Sequence, residues 1–433
     1  MIAFSENKPL WIKPILALLL WGVATASGGI STNYQVTIES RLAYHAFNPR
    51  DLASHRHTLN ADQNFEFSKE WTASAGFRAY AEGAFASNPR FGESVRLRES
   101  YQLSLRDFYT QYRWRSGLLK VGNQQVVWGE AFGFYYADIV NPKDLREFGL
   151  GDLSAQRIPV TMVNAILFLK QNSSLQLIYI PKPFFNKNPA LGGDFAPPFE
   201  SFFPNREVSI EEPRSGALGL AIGEYGARFT GLIGGYDLAA FVFHYFDRRS
   251  TYRTSFAPNG DVTFQADHPR VSTVGFTATK DFPSFLARFE SVYTTGRAFD
   301  TFGPNGYGRY TSDEITAALE IDFTQLYPWR VGAQISDAYI AKHQSNSLQQ
   351  RHSPMISANV KGPAWQNHQV ESVLSYSTND GSSFAKLLYT IPTSAQFEVS
   401  VGAELFLGGQ QSKYGSVRRA SRGFVMLTGF LAK

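Results

Sequence analysis

The decapeptide EITAALEIDF at residues 314–323 sets Ile315, Ala317, Leu319, Ile321 and Phe323 on one face and Glu314, Thr316, Ala318, Glu320 and Asp322 on the other. Side chains of an extended strand point alternately to its two faces, so this period of two marks a strand with one apolar and one polar side. The stretch WTASAGFRAYAEGAF at 71–85 repeats the pattern, with Trp71, Ala73, Ala75, Phe77, Ala79 and Ala81 opposite Thr72, Ser74, Gly76, Arg78, Tyr80 and Glu82. FEVSVGAELFL at 397–407 repeats it again. A soluble sandwich would bury the apolar face, whereas a membrane barrel turns it to lipid and wets the polar face in a lumen.

Working outward, the same reading predicts strands at 34–46, 58–68, 71–86, 97–115, 118–128, 159–170, 173–181, 215–231, 236–247, 270–280, 284–298, 309–323, 328–340, 352–361, 364–377, 383–391, 395–407 and 421–431. Strands this long are unusual in sandwiches. Their connections alternate between short turns, such as Ser116-Gly117, and long loops at 129–158, 182–214, 248–269 and 408–420. Short turns at one end and long loops at the other are the pattern of an outer-membrane barrel. The expected fold is therefore all-β: a transmembrane antiparallel β-barrel of about 18 strands, within 14–18, with short periplasmic turns and long extracellular loops. Residues 236–247 are apolar on both faces, which predicts packing against an inward-folded loop or an apolar part of the lumen.

Composition agrees with this class. The chain has 433 residues, 15% aromatic and only 18% charged, with 36 Phe and 21 Tyr. So many aromatics exclude a disordered chain. No run of about 20 apolar residues offers a helical span beyond the N-terminus. The formal charge of +4 is spread among acids and forms no basic block, so nucleic acid is not an expected partner. There is no Cys, hence no disulfide or thiolate chemistry. Residues 1–26 read as a cleaved signal peptide: Lys8 and Lys13, an apolar run over 15–23, then Ala24-Thr25-Ala26 before Ser27. Residues 27–433 are then one barrel domain.

The segments LRDFYTQYRW, LLKVGNQQVVWGEAFGF, DIVNPKDLREF and RIPVTMVNAILF, all within 105–180, carry a family likeness. Val121, Gly122, Gln124, Trp128, Gly129, Asn141, Pro142, Asp144 and Pro159 match its signature, with Asn123 where the family usually has Arg. The chain resembles the porin-like Gram-negative outer-membrane barrels catalogued as a domain of unknown function, number thirteen-oh-two. The resemblance implies porin-like architecture and location in the outer membrane of a Gram-negative bacterium, as a channel or the outer-membrane part of a transport or export system.

Motifs for phosphate binding, serine hydrolysis or zinc proteolysis are absent from the sequence, so neither catalysis, cofactor nor metal site is expected. His55 and His57 fall in a predicted loop without a third ligand, and His244 is expected to point inward as a structural residue. Trp71, Trp114, Trp128, Trp329 and Trp365 fall near strand ends and are expected to form interfacial girdles.

Strand parity places a basic pore wall at Arg78, Arg113, Arg115 and Lys120. It places an acidic wall at Glu314, Glu320, Asp322, Glu371, Glu398 and Glu404. Facing each other, the two would set up a transverse field across the lumen. The 129–158 loop is expected to fold inward as a constriction, with Glu130, Phe132, Asp138, Asp144, Arg146 and Arg157 as its functional side chains. The expected function is an outer-membrane channel passing small solutes. The alternative is a sheath or scaffold for a periplasmic, lipoprotein or cytochrome partner, and a barrel hydrolase ranks lower. Lipid and lipopolysaccharide of the outer membrane are the surrounding partners this implies.

Overall fold

The computed structural model describes residues 31–47, 50–129, 131, 135–147, 153–170, 172–212, 222–304 and 306–432. The signal-peptide segment, Glu130 and Phe132 lie outside the described residues.

In chain order the strands are β1 (Ser31–His45), β2 (Leu52–Glu66), β3 (Trp71–Glu82), β4 (Tyr101–Trp114), β5 (Gly117–Gln124), β6 (Val160–Phe168) and β7 (Ser173–Ile180). There follow β8 (Val208–Glu211), β9 (Glu224–Ile233), β10 (Tyr236–Phe246), β11 (Thr251–Phe256), β12 (Val262–Asp267), β13 (Arg270–Asp281) and β14 (Phe285–Gly303). The last are β15 (Gly306–Phe323), β16 (Arg330–Ile340), β17 (Met355–Pro363), β18 (Gln369–Ser377), β19 (Ser383–Pro392), β20 (Phe397–Leu407) and β21 (Arg422–Ala432). Eighteen of them form one antiparallel sheet in chain order, and β21 closes on β1 from Gln35↔Ala432 to His45↔Arg422. Each of the eighteen predicted strands overlaps one of these. The remaining three, β8, β11 and β12, make a separate small sheet in segments predicted as loops. It is held by an aromatic core of Phe199, Tyr252, Phe264 and Tyr307 with Val262.

The faces are those of a barrel and not of a sandwich. Leu319 is 40% exposed while its neighbour Glu320 is 1% exposed, and Ile315 and Glu314 repeat the contrast. The apolar side of EITAALEIDF looks out and its acids look in. On β10 the second apolar face is also used: Phe241, Phe243 and Tyr245 are buried inside the barrel against Trp128, Ala137 and Val140.

Strand ends depart from the prediction where a side chain offers a better partner. β3 stops at Glu82, whose carboxylate accepts from the Ala84 amide at 3.1 Å and caps helix α1 (Gly83–Ser87). Helix α2 (Glu93–Glu99) takes the start of the strand predicted at 97–115. A third short helix, α3 (Leu153–Gln156), precedes β6.

Candidate functional site

The described residues of the long connection from β5 to β6, namely 125–129, 131, 135–147 and 153–159, enter the barrel, and the signature residues are what seat them. Gly122 has φ +130°, and a Cβ there would lie 2.3 Å from the Phe108 carbonyl oxygen, so only glycine lets β5 approach β4 this closely. Gln124 is buried and donates to the Met162 carbonyl at 3.2 Å. It accepts from Asn164, Asn164 accepts from Gln176, and Gln176 accepts from the Trp128 indole at 2.9 Å. This relay gives the buried side-chain amides of Gln124, Asn164 and Gln176 partners on β5, β6 and β7.

Trp128 is fully buried, with ring centroids 5.0 Å from Phe241 and 5.7 Å from Phe243. That corrects the girdle assignment for this residue: it anchors the segment from inside. Gly129 passes so close to the Glu290 carboxylate that a Cβ would stand 2.9 Å from it. Asn141 accepts from the Val126 amide at 2.8 Å and donates to the Ile158 carbonyl at 2.9 Å, tying the two ends of the segment together.

The segment is held on two walls. On β14, Glu290 accepts from the amides of Ala131 and Ala137, each at 3.0 Å. At the other end Glu147 meets Arg41 of β1 at 3.1 Å, Arg422 of β21 at 3.2 Å and Arg56 of β2. In the ring of eighteen, β14 is the eleventh barrel strand and so stands nearly opposite β1. Arg146 donates to Tyr80 at 2.9 Å and to Asp144 at 2.8 Å. Asp144 holds the Arg146 guanidinium in its charged form against the cost of burial. Asp138 and Arg157 pair with each other at 2.8 Å inside the segment.

Beside it lies a cavity of about 690 Å³ lined by β1–β4, β17–β21 and the segment itself. Its charged lining comprises eight cations (Arg41, Arg56, Arg78, Arg106, Arg146, Lys187, Lys361, Lys386) and six acids (Glu39, Glu99, Asp144, Glu147, Glu371, Glu404). Burial pushes the Glu99 carboxyl up to about 7, so near neutrality it carries only part of a charge and the positive excess grows. Arg41, Arg56 and Arg106 follow the same inward parity as Arg78 and were open to sequence reading. Nothing in the local pattern marks Glu147.

The two pore walls read from the sequence are placed differently. Arg78 lines the cavity and donates to the Ala155 carbonyl at 3.3 Å. Lys120 lies over the Tyr109 ring at 4.5 Å and Arg113 over Phe168 at 5.9 Å. Arg115 lies in the exposed turn after β4 and is not on a strand.

Five of the six acids have cations at their sides. Glu320 and Asp322 share Arg288, Glu314 takes Arg297 and Arg249, Glu371 takes Lys361 and Lys386, and Glu404 takes Arg422. Glu398 makes no ion pair among the described residues. Charges paired with strand neighbours cancel locally, so the transverse field between two walls is lost and a net positive cavity takes its place. Arg78→Gln is therefore expected to shift the reversal potential toward cations, while Arg115→Gln leaves it unchanged. Equal shifts would contradict the placement.

His244 is exposed on the outward face, 2.8 Å from Ser272, and not inward. The two apolar faces of β10 hide its parity. His55 and His57 stand on β2 and not in a loop, with His57 2.9 Å from Ser40.

The chain belongs to the family described as protein of unknown function DUF1302, whose model matches residues 31–405. No curated protein is similar to it in sequence. Among solved structures it is similar to Acinetobacter baumannii OccAB3, with 7% identity, 93% of this chain and 100% of that chain covered, and a TM-score of 0.51. It is also similar to Salmonella typhi OmpF in complex with daunomycin, with 10% identity, coverage of 93% and 98%, and a TM-score of 0.48. The fold is that of the large Gram-negative outer-membrane barrels.

Proposed function

We propose that this member of the family is an outer-membrane channel for small solutes, with a preference for anions. The observation that carries the reading is the crossing segment: through Ala131, Ala137 and Glu147 the β5–β6 connection is anchored on nearly opposite walls, at Glu290 and at Arg41, Arg56 and Arg422, beside a cavity with an excess of cations. An apolar outer face around a charged interior is what a spanning barrel requires. Trp71, Trp329 and Trp365, exposed at the end with short turns, suit an interfacial girdle on the periplasmic side. A sheath around a partner protein would need this lumen for its occupant, which makes the channel the better reading.

The test is single-channel recording in planar bilayers. Deleting residues 132–151 in a variant that still folds to a heat-modifiable barrel should raise conductance severalfold. Unchanged conductance would mean that the segment does not narrow the path.

A further inference from the structure

Among the described residues, the strand pairing of the barrel wall is interrupted beside this cavity. Pairing between β4 and β5 runs only from Phe108↔Asn123 to Trp114↔Gly117. Residues 101–105 of β4 pair with β3 on one side, and 106–107 form a bulge there, but on the other side no strand meets 101–107 among the described residues. β6 cannot fill the place, because its first pair is Val160 with Gln124. Bonds across this edge include those of the Asn123 side chain, which donates to the Leu105 and Arg106 carbonyls, and of the Gln125 amide, which donates to the Asp107 carboxylate. Segment 153–159 lies behind it, held from the lumen by Arg78 on the Ala155 carbonyl and by Arg106 on the Arg157 carbonyl at 2.7 Å.

Among the described residues, one side chain at the gap is shared by the cavity and the outer face. Leu105 points outward and is 54% exposed, yet it lines the same cavity as Arg41 and Glu404. Tyr101, Leu103 and Val127 surround the gap as exposed apolar side chains. On the inner side, Arg78 has no carboxylate partner among the described residues, and its buried Nε–H has no hydrogen-bond acceptor. A backbone group without a partner against lipid costs several kcal/mol, a cost that water at an opening relieves.

We propose that this gap is a lateral port, and that its ligand is an amphiphile with a singly charged carboxylate head and an unbranched alkyl tail. The inference rests on the channel reading and deepens it. The carboxylate accepts from the Arg78 guanidinium, which presents fixed donors matched to its two oxygens. The tail leaves through the gap past Leu105, toward the acyl chains outside. A small hydrophilic anion would use the head site alone and gain nothing from the gap.

The chain has no Cys, so single thiols report without background. Full-length Leu105→Cys and Leu319→Cys proteins are reconstituted in phosphatidylcholine vesicles and treated with a charged, membrane-impermeant methanethiosulfonate. Both positions face outward, but Leu319 sits in fully paired wall. Thiolate forms only where water reaches, so the Leu105→Cys thiol should react at least about tenfold faster. Leu103→Cys serves as the second variant should the first fail to fold. Dodecanoate below its micelle concentration should slow the reaction at least about fivefold, butyrate should not, and adding Arg78→Gln should abolish the protection.

Equal rates at Leu105→Cys and Leu319→Cys would overturn the port. Equal protection by butyrate, or protection surviving Arg78→Gln, would overturn the amphiphile assignment. The thiol readout needs no ion current, so its failure with normal conductance removes the port and leaves the channel. Fast labelling without conductance does the reverse.

Discussion

Glu147→Gln is expected to unseat the crossing segment, raise single-channel conductance severalfold and shift selectivity further toward anions. Glu147 is the shared partner of Arg41, Arg56 and Arg422, all three largely buried. Removing one partner of a buried ion-pair cluster leaves uncompensated charge and costs about 3–5 kcal/mol. Here the cost falls on the contact that fixes the far end of the segment, and the loss of a carboxylate adds to the cationic excess. A folded Glu147→Gln barrel with wild-type conductance would show that the Glu290 anchorage suffices alone.

The same carboxylate sets the pH response. Burial alone would raise the Glu147 carboxyl, but the guanidiniums of Arg56, Arg41 and Arg422 outweigh it and hold it well below the usual carboxylate range. A group with a depressed folded value stabilises fully above its unfolded value, about 4.3, and loses that stabilisation as pH falls through the folded one. Wild-type conductance should therefore stay at its narrowed level from neutral pH to about pH 4 and rise only in stronger acid. A rise between neutrality and mild acidity would point to another latch.

Trp128→Ala should produce the second large effect. The indole is fully buried, packs on Phe241 and Phe243 and donates to Gln176. Large-to-small replacement at such a site costs about 3–5 kcal/mol. Trp128→Phe keeps most of the contact but leaves the Gln176 oxygen without its donor, about 1–3 kcal/mol. The thermal midpoint of the electrophoretic shift should fall in the order wild type, Phe, Ala. The Ala variant should also flicker to higher conductance as the segment loosens. A wild-type midpoint for Trp128→Ala would remove the apolar cluster as the seat of the segment.

What the sequence determines here is what depends on neighbouring residues. Alternation of Leu319 with Glu320 is a property of one extended backbone, so strand count, facing and the barrel class are readable without the fold. The signature residues were readable as a likeness, but their roles were not. Gly122, Gln124, Trp128 and Asn141 act by hydrogen bonds and contacts to Phe108, Met162, Gln176 and Ile158, which lie on other elements. Local pattern also runs out where two environments share it. A Trp at a strand end looks the same whether it anchors in an interface or, like Trp128, turns inward. β10, apolar on both faces, carries no parity for His244. Arg115 is excluded from the pore only because β4 ends at Trp114.

The site itself belongs to the tertiary structure. Glu147 meets Arg41 across 106 residues and Arg422 across 275. Those distances close only because β21 pairs with β1 and the β5–β6 connection runs through the lumen. Charge alternation along a strand predicts which residues face inward. Which of them cancel depends on ring closure and loop path, and these leave Glu314, Glu320, Asp322, Glu371 and Glu404 paired with Arg297, Arg288, Lys361, Lys386 and Arg422 and the cavity basic.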